Sequence, residues 1–306
     1  MLDRALAWTG RNLAGFNPFP DGANYDLNLG QRVGELAILV QVYVLLTGDR
    51  TSRRLQLLAR ELERMQGRRA FSDRMMRRPV EFVLFAQVYS TLRTLGAEAP
   101  EQRALIQRVL ASGFLDHTER IPYRQMELVS CLESAGIRHP YPSLRELHAT
   151  SILKQVPNPL FLDEDGLYAV THVLMYLHAL GTHRGAMVPA GSRQALTDSL
   201  AAQVVIAAQE HHWDLLAELL LCWECLGFPR EDIVLKGWLA LAGMQDRRGG
   251  IPGPEWAQAL YDASVQARPL KPLASRRDFY FSHHYHTTLV SALAACVCLH
   301  RTQRTR

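Results

Sequence analysis

The sequence predicts an all-α protein, an (α/α)6 barrel (toroid) of six helical hairpins around a central cavity. Three observations carry that expectation. Five apolar helical stretches end on glycine, in LLTG, LRTLG, CLESAG, LHALG and WECLG, at Gly48, Gly96, Gly136, Gly181 and Gly227. The intervals of 48, 40, 45 and 46 residues are the scale of a stacked helical array. Each interval holds one more polar helix and one more apolar helix, an outer and an inner partner. The last inner helix, in LVSALAACVCL, is as apolar as the central ones, so a ring that closes would bury it, whereas an open solenoid would leave it bare.

The hairpins follow in order. The first pairs residues 2–13 with 30–47. The second pairs 51–66, charged along one face in TSRRLQLLARELERMQ, with 79–95, apolar almost all round in PVEFVLFAQVYSTLRTL. The third pairs 100–114 with 121–135, the fourth 143–155 with 166–180, and the fifth 191–209 with 212–226. The sixth pairs 230–245 with 284–300 and lacks the closing glycine. Asp, Ser or Pro opens many of these helices and glycine sits one residue past the end, as capping chemistry favours. Residues 1–300 are expected to form a single barrel domain, and 301–306 a basic tail.

Composition narrows the classes. The 306 residues are 48% hydrophobic and 21% charged, with 34 basic and 30 acidic residues. A net charge of +4 gives no strong field, and no nucleic-acid partner is expected. The five cysteines (131, 222, 225, 296 and 298) are odd in number and sit in apolar helical segments, which predicts reduced thiols and a cytoplasmic location. No signal-peptide core and no uncharged run of about 20 apolar residues is present, so no membrane association is expected. No P-loop, Rossmann glycine fingerprint or nucleophile elbow occurs, so no nucleotide cofactor is expected.

One stretch carries a family resemblance. WLALAGMQDRRGGIPGPEW, residues 238–256, resembles the repeat-end signature of the terpenoid-cyclase and protein-prenyltransferase-like toroids. There a helix ends in glutamine, followed by an Asp-x-x-Gly-Gly turn and an aromatic, matched here by Gln245, Asp246, Gly249, Gly250 and Trp256. The segment YHTTLVSALAAC is similar to the inner helix that follows in such proteins. The resemblance implies the toroid and makes biosynthetic tailoring plausible by analogy. The chain carries no aspartate-rich cyclase motif in the expected form and no Cys–His pair arranged like a lanthionine-cyclase zinc site.

The glycine register points to a site. Thirteen residues before each glycine stand Glu35, Val83, Tyr123, Tyr168 and Asp214; nine before stand Leu39, Gln87, Glu127, His172 and Glu218. The two positions lie one turn apart on one helical face. His286 falls near the same level in the sixth unit. So many polar groups on apolar helices predict a polar patch lining one end of the cavity. Asp214 and Glu218, spaced i, i+4, together with His172 and His286, suit a divalent metal such as Zn, Fe or Mn. Tyr168, Glu127 and Tyr123 are candidate catalytic groups, and Glu35, Gln87, Arg124, Tyr176 and Tyr285 candidate substrate contacts. A metal-free catalytic or ligand-binding network and a purely structural network fit the same residues.

Other candidates have simpler explanations. His283 and His284 sit at a helix entrance, and His211 and His212 precede an inner helix as caps or supporting groups. Cys222 and Cys225 fall in mid-helix and read as packing, and LDEDG as cap chemistry. The leading expectation is a metal-dependent enzyme acting on a small molecule or peptide at the barrel mouth. The alternatives are a metal-free acid–base cyclase or lyase using buried carboxylates, and a non-catalytic ligand-binding scaffold.

Overall fold

The computed structural model describes residues 1–19, 27–78, 81–183, 192–256 and 273–304. Residues 79–80 at the start of the expected helix 79–95, residue 191 of the expected helix 191–209, and residues 305–306 lie outside the described residues. The architecture is all-helical, with fourteen α-helices and no strand among the described residues.

Six of these helices are the expected apolar partners: α2 (Leu27–Thr47), α5 (Phe82–Thr94), α7 (Pro122–Ser134), α9 (Glu164–Leu177), α11 (Trp213–Leu226) and α14 (Tyr285–Arg304). Each packs on the next in chain order, and α14 packs back on α2. Every residue of α11 is buried, which explains its lack of a polar stripe.

The others flank them. These are α1 (Leu2–Arg11), α3 (Arg53–Gln66), α4 (Arg69–Arg77), α6 (Pro100–Ala111), α8 (Leu144–Thr150), α10 (Arg193–Gln209), α12 (Asp232–Gly243) and α13 (Leu273–Ser282). Helix α3 buries Leu55, Leu58, Leu62 and Met65, one side of an otherwise charged helix. Helices α4 and α13 were not expected. At nine residues and strongly charged, α4 is anchored by Phe71 and Met75, one turn apart, too weak a periodicity to stand out.

The glycine register has a physical basis. All five glycines have positive φ. At Gly96 the arrangement is a Schellman close: Ala97 N donates to Leu92 O and Gly96 N to Arg93 O, both at 2.9 Å. The fourth unit departs from the pattern. Helix α9 stops at Leu177, and Ala179, Leu180 and Gly181 all carry positive φ, so Gly181 closes a short 3-10 turn instead of the helix itself.

The QDRRGG turn is a clasp. Asp246 Oδ1 accepts from Arg248 N at 2.8 Å and Gly250 N at 3.0 Å. Gln245 Nε2 donates to Gly249 O and to Met1 O. Arg4 donates to Asp246 O, and Arg11 to Arg248 O. Trp256 packs edge-on against His284 at 4.5 Å. The expected basic tail is partly helix: α14 runs through Arg304, and Arg301 binds Glu224 at 3.1 Å. Arg230 meets the same carboxylate at 3.0 Å, joining α11 to the C-terminal end of α14.

Candidate metal centre

Three chain segments meet at the N-terminal ends of α9, α11 and α14. His212 opens α11 as an imidazole N-cap: its Nδ1 accepts from Leu215 N at 3.2 Å, and its Nε2 lies 3.3 Å from Glu164 Oε1. That start sets Asp214 and Glu218 one turn apart, where they meet Tyr168 and Thr171 of α9 and Thr287 of α14. Asp163 caps α9 by accepting from Gly166 N at 2.8 Å, which places Tyr168, Thr171 and His172 opposite α11. His286 lies in the first turn of α14, between α11 and α2.

Asp214, Glu218 and His286 each offer a ligand atom within 4.8 Å of the others. Both carboxylates are buried, at 3% and 2% exposure. The side chain of His286 is one-third exposed, so solvent reaches the cluster from that side. Supporting bonds orient each group. Tyr168 Oη donates to Asp214 Oδ2 at 2.8 Å, and Thr287 Oγ1 to Asp214 Oδ1 at 3.3 Å. Thr171 Oγ1 donates to Glu218 Oε2 at 2.5 Å. His286 Nδ1 donates to Glu35 Oε2 at 2.8 Å, and Gln31 Nε2 donates to Glu35 Oε1 at 2.6 Å. The Glu35–His286 pair aims Nε2 at Asp214, 3.4 Å away. A carboxylate on one imidazole nitrogen with the other turned to a charge-binding point is the outer arrangement of many histidine metal ligands.

The electrostatics are those of a site short of cations. Burial and the charge of Asp214 push Glu218 up to about 8, against opposition from His286 and Thr171. Burial also opposes ionisation of Asp214, but His286 and the Tyr168 hydroxyl outweigh it and hold it below its ordinary value. Burial opposes the charge on His286 too, yet Glu35 and Asp214 keep that imidazole well above its usual range. The phenol of Tyr168 is raised, by burial first and Asp214 second, so it stays a donor. Two carboxylates and one imidazole form a mixed O/N donor set suited to Zn, Mn or Fe(II).

The other expected residues divide. His172 is beside the cluster, with Nδ1 3.7 Å from Glu218 Oε2 and 2.7 Å from Tyr168 O. It is not one of the three residues whose ligand atoms converge, and its ring, the pKa lowered chiefly by burial, is neutral. His172 packs against Tyr123 at 5.2 Å and Tyr176 at 6.1 Å. Arg124 pairs with Glu127 at 3.0 Å and stacks over Tyr123 at 5.1 Å.

Two expected contacts fall elsewhere. Gln87 donates to Gln41 Oε1 at 2.6 Å, while Gln41 Nε2 reaches Ser90, Thr94 and Ser134. This is a separate buried network joining α2, α5 and α7. Register fixes the level of Gln87 but not the direction in which its amide turns. Tyr285 packs on Phe281, Phe16 and the Arg32 guanidinium, an aromatic cluster shared with α13. Thr171, Thr287 and Gln31 were not singled out as supports, whereas His212 is a cap, one of the two roles expected of it. A hydroxyl inside an apolar helix was the only sign of the two threonines, and threonine there often bonds its own backbone, as Thr171 also does to Tyr168 O.

The cysteines are free thiols, and burial raises both Cys222 and Cys225, consistent with packing. Among the described residues no helix is long and apolar enough to cross a membrane. No curated protein matches the chain. A family model described as a domain of unknown function, DUF6895, matches residues 2–296, and the chain belongs to that family.

Proposed function

We propose that the protein is a metal-dependent enzyme acting on a small molecule or peptide, with Asp214, Glu218 and His286 as the ligands of one divalent ion. The observation that carries the reading is the convergence of those three donors within 4.8 Å, two of them buried carboxylates one turn apart. The cycle of contacts among six inner helices supports an (α/α)6 toroid with the centre at its mouth. The toroid resemblance favours a biosynthetic tailoring step. A bound Zn2+, Mn2+ or Fe2+ would supply Lewis-acid or redox chemistry at a coordination position left open by three protein ligands. Glu35 fixes the His286 tautomer. Tyr168, Thr171 and Thr287 aim the carboxylates. Tyr123, Glu127 and Arg124 stand beside His172, where a substrate would be oriented and a proton moved.

Elemental analysis of desalted protein tests the assignment. Near-stoichiometric metal is expected in the parent and a large loss in Asp214→Asn, Glu218→Gln and His286→Ala, while His172→Ala keeps it. Metal-free protein after reducing, anaerobic purification overturns the reading. A second reading is favoured by the elevation of Glu218 to about 8: a metal-free acid–base enzyme with Glu218 as proton donor. A bell-shaped rate profile untouched by chelators selects it.

A further inference from the structure

A cavity of about 440 Å3 opens between the N-terminal halves of α7 and α9 and the segment after α8. It shares one wall with the candidate centre, because Tyr123 lines it and also packs on His172. Ile121, Ile152, Ala169 and Val173 supply apolar lining. Ile121 and Ile152 are 56% and 36% exposed, an unfavourable display of apolar surface unless something covers it. Asp165 is the one charged residue of the lining. The helix start does not need it as a cap, since Asp163 already caps Gly166 N. The side chain of Asp165 has no hydrogen bond or ion pair with another described residue.

We propose that this cavity is a substrate subsite for an aliphatic amine. The ammonium meets Asp165, the hydrocarbon stem covers Ile121, Ile152, Ala169 and Val173, and Tyr123 separates the stem from His172. The charge inventory agrees. Arg124, beyond Tyr123, is tied to Glu127, and among the described lining residues the charge is the Asp165 carboxylate, which favours a cationic headgroup over a carboxylate or phosphate. The subsite class rests on the proposed function only for its role as a substrate site; the binding itself does not.

Isothermal titration calorimetry with n-octylamine, n-octanol and octanoate tests the proposal. Saturable binding of octylamine is expected, weaker binding of octanol, and none of octanoate. Asp165→Asn, an exposed change that leaves the fold alone, should weaken octylamine about threefold, toward octanol. Ala169→Phe should fill the space and abolish binding, with helicity checked by circular dichroism. Octanoate binding as tightly as octylamine, octylamine affinity unmoved by both substitutions, or no saturable octylamine binding overturns the subsite. Asp214→Asn is expected to bind octylamine like the parent. Octylamine binding by a protein that proves metal-free would therefore sink the metal reading and leave the subsite standing.

Discussion

In chelator-treated protein, Glu218→Gln should stabilise the fold at pH 8 and leave it nearly unchanged at pH 4.5. The carboxyl is raised from its ordinary 4.5 to about 8 by burial and by Asp214. A carboxyl raised in the folded state contributes most below its unfolded value, and that contribution is lost as pH climbs from 4.5 through about 8. At about 1.4 kcal/mol for each tenfold change in proton affinity, the gap corresponds to about 5 kcal/mol as a ceiling. Glutamine keeps the shape and an acceptor for Thr171 but carries no charge to desolvate. Urea denaturation at pH 4.5, 6.5 and 8 reads the effect as a midpoint difference that widens with pH. Zn2+ or Mn2+ added at pH 8 should raise the midpoint of the parent and scarcely move that of Glu218→Gln. A variant no more stable than the parent at pH 8 without metal would refute the reasoning, because the buried carboxylate would then carry no penalty.

Other outcomes follow from the packing. Glu224→Ala leaves Arg230 and Arg301 without their shared buried carboxylate and should cost about 3–5 kcal/mol, read by urea denaturation. Gly249→Ala should be costly: φ is +95° and a Cβ would overlap Arg4 O in the clasp, so a fall in melting temperature is expected, with an intact, equally stable variant counting against that contact. Gly96→Ala, with positive φ but open space around the new methyl, should lose only about 1–2 kcal/mol.

Much of the scaffold was legible because capping and periodicity are local. The glycine of LRTLG announces a Schellman close whatever surrounds it, and the i, i+4 carboxylates of DLLAE can share a target by helix geometry alone. What stayed hidden depends on direction and tertiary neighbours. His172 and Glu218 share a level, yet the imidazole turns its N–H to Tyr168 O. Gln87 occupies the matching position on α5 and turns to Gln41 instead. Residues 301–304 carry two arginines and look like a solvated tail until Glu224, deep in α11, is known to await Arg301.

The clasp has a bearing on how the chain acquires its shape. Met1, Arg4 and Arg11 are held by residues 245–249, so these bonds span more than 235 positions. Helix α2 must likewise wait for α14, about 250 residues later, to cover its remaining flank. Such distant pairings form late and slow the search for the native state. During synthesis the early hairpins would carry a sticky, half-dressed edge, and the α2–α14 seam would seal only after residues 285–304 had left the ribosome.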